Sequence, residues 1–533
     1  MVDFFFQKKK IVLLFILSIS YGHNLNNESL PKGFDKNEIN RVHEIYLMRR
    51  DTPPPIHPIR NIAEFERMQG ALVRYPFGVS TEIIAEMSED IIIYCLIDSS
   101  DQGLAFSMME NEGLDMRNIE FIYADTDSYW TRDYGPWWIV NGQNEVSIVD
   151  FTYNRPRIND NLVPFKISQY FDVPYFATDI IHAGGNYMTD GYGISMSSNL
   201  VMEENNLSYD SLLQIMSNYF GIDAYHLLDD PNNNYINHID CWAKILSPTD
   251  ILIRSVPPNH DQFNEIEEVV QYFENIVNNW GKPWRVHRIW TPNDEPYTNS
   301  LILNGKVFVP LMGNDWDDDA LDTYQSVMNG YEVIGFTGSW ESTDALHCRI
   351  KGIPDLNLLQ IFHEPIDDFT QESISGFDVN VKIDNLNGIG LIEDSSRIFW
   401  KIESEMSWNV TVMQTVGINE NVNFQKGWIP GVSDTVLVNY FISITDSSGK
   451  NEKNPLVGYH EFIGIPYDIC NEWIIGDLDN SGYLGIIDLL LLLDQTVYQI
   501  NFGNCVNSVS DINGDGAIDM MDFFELKEKI LNP

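Results

Sequence analysis

Trp130-Thr131-Arg132-Asp133-Tyr134-Gly135-Pro136 is the stretch on which the reading of this chain turns. Two others lie far from it, His238-Ile239-Asp240 and His347-Cys348-Arg349, with Asn299 between them. A planar cation with donors in a fork is held best by paired carboxylates, and Asp133 and Asp240 are the candidates. If 236–241 is extended, His238 and Asp240 point to one face and Ile239 to the other. Cys348 offers a soft nucleophile once it is a thiolate, and His238 an imidazole for acid/base work. Asn299 can donate a hydrogen bond that orients the thiolate or a neighbouring carboxylate. The rings between Trp130 and Trp138 can cover a cation. A cysteine protease uses the same Cys/His/Asn kit, so these residues alone leave both chemistries open.

At 533 residues the chain exceeds one ordinary core, and it divides into several parts. Residues 1–22 carry Lys8-Lys9-Lys10, an apolar run from Ile11 to Ile19 and small residues at Ser20-Tyr21-Gly22, the pattern of a secretory signal peptide. A secreted protein with no membrane span is the expectation. The net charge of -46, from 78 acidic and 32 basic residues, argues against nucleic acid, whose phosphates need a basic footprint. Five cysteines are too few for a disulfide scaffold. Cys470 and Cys505 could pair, Cys95 and Cys241 read as buried thiols, and Cys348 is the odd one out.

Over 37–360 short apolar runs (Ile91 to Leu96, Ile245 to Ile253, Leu301 to Val309) alternate with helical patterns (Asp210 to Phe220, Phe263 to Asn278), an α/β arrangement. Over 370–466 period-two alternation takes over, as in Phe377 to Ile383 and Val436 to Ile442, and predicts an Ig-like antiparallel β-sandwich without site chemistry. The region 470–533 holds two loops built alike. Asp511, Asn513, Asp515, Asp519 and Asp522 supply oxygen at loop positions 1, 3, 5, 9 and 12, with Gly516 at the sharp turn. Asp477, Asp479, Ser481 and Asp488 repeat that spacing 34 residues earlier, with Gly485 at position 9. Each loop runs into an apolar helix (Leu489 to Leu493, Phe523 to Ile530), which predicts a small α-helical, EF-hand-like module holding calcium. The duplicated loop-helix with Asp at position 12 resembles a dockerin. That resemblance implies a cohesin-type scaffold partner for 476–533, its choice set by Ile486-Ile487 and Met520-Met521, which depart from the usual Ser-Thr pair.

Together with Gly184-Gly185-Asn186-Tyr187-Met188-Thr189-Asp190-Gly191 and Asn299-Ser300, the three opening motifs resemble those of the Porphyromonas-type peptidylarginine deiminases, themselves similar to agmatine deiminases. The resemblance spans about Asn37 to Pro354. It implies a five-bladed α/β propeller of the pentein type with the site on its axis. It implies that Cys348 attacks, His238 moves protons, Asp133 and Asp240 clamp the guanidinium, and Asn299 assists. The implied reaction turns arginine-containing peptides or proteins into citrulline and ammonia through a covalent thiouronium, with no cofactor. In Tyr153-Asn154-Arg155-Pro156-Arg157 the two arginines would grip the α-carboxylate of a C-terminal arginine. Trp130, Tyr235, Ile236 and Thr343 are candidates for the pocket lining, and Gly184 and Gly185 for a close approach of strand to site or a plain tight turn. The readings left open are a deiminase of agmatine or free arginine, and a non-catalytic, scaffold-docked binding protein.

Overall fold

The computed structural model describes residues 30–371, 376–419, 422–466, 473–500, 502 and 504–532. The expected signal peptide and the side chains of Cys470 and Cys505 fall outside the described residues. Among the described residues no helix is long and apolar enough to cross a membrane.

Between Arg60 and Pro354 the chain makes five small sheets of three or four strands. Each repeats one plan: an antiparallel step, then a parallel step. A parallel pair cannot be joined by a tight turn, so helices make the crossings: Thr81–Ser88, Ile158–Phe171, Leu200–Asn205 with Tyr209–Phe220, Phe263–Asn275 and Asp317–Val327. The fifth sheet joins the two ends of this region. Strand Lys351–Pro354 pairs with Met68–Arg74, Lys351 opposite Leu72, which ties the segment just after Cys348 to the start of the repeat.

Two expected strands prove to be hairpins. The run from Ile245 to Ile253 breaks into Ala243–Ile245 and Asp250–Ser255, because the Asp250 carboxylate gathers the hydroxyls of Ser247 and Thr249 into a turn. The run from Leu301 to Val309 breaks at Asn304-Gly305, with Asn304 at φ +53°, the dipeptide that two-residue hairpins favour. The helix expected to Asn278 ends at Asn275; Asn278 instead takes the Trp280 N–H on its Oδ1 and orders the turn.

After Leu359 two sheets face each other across one core. Val379, Val381 and Ile383 come from one, Ile398, Ile442 and Phe462 from the other. Strand Phe377–Asn385 alternates buried and exposed residues, as a sheet with one wet face requires. Arg67 reaches Glu452 at 2.8 Å and Asn144 reaches Asp384 at 3.0 Å, so this part abuts the five-sheet part. At the C-terminus helices Ile486–Val497 and Met520–Leu531 share an apolar core that includes Leu489, Leu492 and Leu526. A further helix, Asn504–Ser510, was not legible in the sequence pattern.

Candidate active site

Cys348 sits on a four-residue helical turn, Leu346–Arg349, fully buried. Asn299 holds that turn: its Oδ1 accepts the N–H of Ala345 at 3.1 Å and of Cys348 at 3.4 Å, its carbonyl accepts the His347 N–H, and its Nδ2 lies 3.2 Å from Cys348 Sγ. Asp240 Oδ2 is 3.5 Å from the same sulfur.

His238 and Asp240 do not lie on a strand. His238 is the extended residue before a 3-10 turn, Ile239–Cys241, fixed from behind by Asn186, whose Oδ1 accepts the N–H groups of Ser198 and Ile239. Both side chains still reach one space, and Gly185 keeps it open. A Cβ on Gly185 would lie 2.6 Å from Asp133 Oδ1, 2.8 Å from His238 Nδ1 and 2.9 Å from Asp240 Oδ2. Gly184 serves the backbone instead, since its Cβ would strike the Arg132 carbonyl at 2.0 Å. Neither glycine has a positive φ, so room rather than turn geometry requires them.

Electrostatics divides the carboxylates. Burial pushes Asp133 up to about 6, against the opposing pull of Lys32. Asp240 is equally buried, yet the Lys32 ammonium and His347 outweigh that burial and hold it well below the usual carboxylate range. Burial, and then the Lys32 charge, keep His238 far below the usual imidazole range. Both ring nitrogens of His238 are buried without a hydrogen-bond partner among the described residues; Asp133 Oδ1 is 3.6 Å away. Burial, with Asp240 adding to it, pushes the Cys348 thiol up. A thiolate there needs a cation beside it.

Further residues that the motif reading gave no role contact this centre. His347 bridges Asp240 Oδ2 at 2.8 Å and Glu64 Oε2 at 2.7 Å. Glu64 in turn meets Lys244 at 2.5 Å and Arg132 at 3.1 Å. Glu64 is an isolated acid in a loop. Lys32 is the other: its Nζ lies 2.7 Å from Cys348 Sγ and 2.6 Å from the Thr343 carbonyl.

The expected lining residues differ in exposure. Trp130 is buried, with Arg349 over its ring at 5.5 Å and its Nε1–H donated to the Leu30 carbonyl. Tyr235 is exposed, with its hydroxyl 3.3 Å from that of Thr343. Ile236 is buried, its N–H held by Asn234. Arg155 and Arg157 are both buried. Gly185→Ala tests the arrangement: the crowding costs about 1–3 kcal/mol, read as a modest fall in thermal unfolding temperature with the fold retained, while kcat/KM on an arginine peptide falls by on the order of a hundredfold or more, the effect of about 1 Å of misplacement at reacting groups.

Residues 63–354, more than half of the chain, match the family model for Porphyromonas-type peptidyl-arginine deiminases. An agmatine deiminase of Pseudomonas syringae pv. tomato is 22% identical over 266 residues, 42% of this chain and 72% of its own length. A solved agmatine deiminase of Enterococcus faecalis superposes with TM-score 0.50 at 19% identity, over 56% of this chain and 96% of its own. A crystal structure provisionally named a peptidyl-arginine deiminase gives 0.51 at 20% identity, over 56% and 99%. The α/β fold of the five-sheet part is that of these pentein-type deiminases. The chain belongs to the Porphyromonas-type peptidyl-arginine deiminase family, and by that membership is a guanidine-modifying hydrolase.

Proposed function

We propose that the chain is a secreted peptidylarginine deiminase that prefers a C-terminal arginine. The observation that carries the reading is the convergence of Asp133, His238 and Asp240 on the space above Gly185, with Cys348 Sγ 3.5 Å from Asp240. Asp133 and Asp240 clamp the guanidinium. Its charge supplies the cation that the buried Cys348 needs to become a thiolate. The Cys348 thiol passes its proton to the neutral His238 and the thiolate forms a bond to the guanidinium carbon; His238 then hands that proton to the nitrogen that leaves as ammonia, the carbon–nitrogen bond breaks, and a cysteine thiouronium remains. Water then attacks, His238 takes a proton from it, and the carbon–sulfur bond breaks to release citrulline and the thiolate. No cofactor enters this scheme. We infer the five sheets to be the blades of one propeller around this centre.

Arg155 supports a peptide rather than agmatine. Its Nε–H is 3.1 Å from the main-chain carbonyl of Lys32, whose side chain already lies at Cys348. A C-terminal arginine seated the same way would bring a carboxylate oxygen to that donor, and agmatine has none there. The agmatine deiminases among the relatives keep a small-guanidine substrate as the second reading. Arg155→Ala should cost roughly 1.5–3 kcal/mol of a charge-assisted contact, or roughly ten- to a hundredfold in kcat/KM for a peptide ending in arginine. An arginine amide or an internal arginine, which offers that donor only a neutral carbonyl, should lose less, roughly 0.5–1.5 kcal/mol. Preferred turnover of agmatine by the unaltered enzyme would decide for the second reading.

Because burial pushes Asp133 up to about 6, the carboxylate gains a proton as pH falls through that value, and half of the clamp loses its charge. A pH profile of kcat on an arginine peptide, where the bound guanidinium stands in for the Lys32 ammonium, should therefore bend down near pH 6. A limb near the ordinary carboxylate value of about 4 would contradict this.

The C-terminal part is read as a dockerin-like calcium module, and the two sheets before it as Ig-like. Oxygens of Asp477, Asp479 and Asp488 lie within 4.8 Å of one another, a donor set that fits a hard cation. Ser481 is joined to Asp477 through its N–H at 3.0 Å. In the second loop Asp511 takes the N–H groups of Gly514, Asp515 and Gly516, Asn513 and Asp515 bond each other, Asp519 caps the helix and Asp522 takes the N–H of Ile512. Bound calcium would pin both loops against their helices. Ile486, Ile487, Met520 and Met521 are exposed and available to a cohesin-type scaffold. Chelation should melt 476–533, read by calorimetry, while deiminase activity persists, since no catalytic group proposed above depends on a metal.

A further inference from the structure

Four consecutive carbonyls of the segment before the catalytic part are taken up by the site. Leu30 O accepts from Trp130 Nε1 at 3.3 Å, Pro31 O and Gly33 O from Arg157 Nη2 at 2.6 and 3.0 Å, and Lys32 O from Arg155 Nε at 3.1 Å. Phe34 lies under the Arg155 guanidinium at 4.5 Å. Gly33 passes beneath Tyr235, where a Cβ would meet the ring at 2.7 Å. The segment thus lies in the cleft as a bound peptide would.

Its side chains match the site's charges. Lys32 is 3% exposed, and a buried ammonium is tolerated only where opposite charge and acceptors compensate it. Here the compensation comes from Cys348 Sγ and the Thr343 carbonyl in contact, with Asp240 and Asp133 nearby. Glu38, six residues on, is buried and makes a two-point pair with Arg157, at 2.7 Å to Nε and 3.0 Å to Nη2. A cation at the nucleophile and a carboxylate on an arginine are the two ends of a peptide's C-terminal arginine. Lysine, however, has no electrophilic carbon between nitrogens. The sulfur can pair with its ammonium and can form no bond, so the segment is not consumed.

We propose that residues 30–38 are a built-in substrate mimic: Lys32 occupies the arginine seat and Glu38 the carboxylate seat on Arg157, and the enzyme turns over substrate only when this segment is displaced or cut away. The proposal rests on the deiminase reading of the site. A tethered occupant competes at an effective concentration of roughly millimolar, so free peptide is disfavoured until the tether is broken. The stretch from Ile39 to Val42 is exposed, and one cut there would release Lys32 and Glu38 together.

The test uses the full chain. In Lys32→Arg, residue 32 presents a guanidinium to Cys348 and should become citrulline in cis, at a rate independent of protein concentration, as read by mass spectrometry. The same position should stay arginine in the double variant Lys32→Arg, Cys348→Ala. Lys32→Ala should raise kcat/KM on an arginine peptide by about tenfold or more, because the competent fraction grows, and a synthetic peptide of residues 30–38 should inhibit that variant competitively. An unconverted Arg at position 32 in an enzyme that converts added peptide overturns the proposal and leaves the deiminase reading intact, as does an unchanged rate in Lys32→Ala. Failure to convert either position 32 or any added guanidine overturns both.

Discussion

Asp133 and Asp240 are buried around one small space, and two buried carboxylates facing a thiol can be kept only if positive charge is supplied. The structure meets that requirement in layers. Behind Asp240 stands His347, behind His347 stands Glu64, and Glu64 is held by Arg132 and Lys244. In front, the charge must come from whatever occupies the cleft. In the chain as it stands that charge is the Lys32 ammonium, 2.7 Å from Cys348 Sγ.

The five-sheet plan serves this constraint by bringing distant segments to one point. Asp133 comes from the turn before the strand Trp137–Val140, Asp240 from the 3-10 turn before Ala243–Ile245 with His238 the residue leading into it, Asn299 from the turn before Leu301–Leu303, and Cys348 from the turn before Lys351–Pro354. Each functional group therefore precedes the first strand of an antiparallel step. Loops fixed by a rigid scaffold are where such chemistry is usually placed. Here the buried ladders leave those loops little freedom.

The residues that converge around Gly185 and Cys348 were legible because each lies within a short motif of polar residues. Support from elsewhere was not. Glu64 and Lys32 stand alone in the sequence, and their partners His347 and Cys348 are 283 and 316 residues away. The apolar run Leu301 to Val309 reads as one strand although Asn304-Gly305 inside it turns the chain back. For 236–241 six residues cannot separate a strand end from a 3-10 turn; His238 and Asp240 nonetheless share a space beside Gly185. Arg155 and Arg157 were read as ligands of a carboxylate. Arg157 does hold one, that of Glu38 in this same chain.

The claim beneath all of this is that Cys348 forms a bond to the guanidinium carbon while His238 serves water. Quenching the unaltered enzyme in acid at short times during turnover of an arginine peptide and mapping by mass spectrometry tests it most directly. The account predicts a Cys348 adduct carrying the peptide less ammonia. Citrulline formation with Cys348 unmodified at every time point, or an adduct on Cys95 or Cys241, would contradict it.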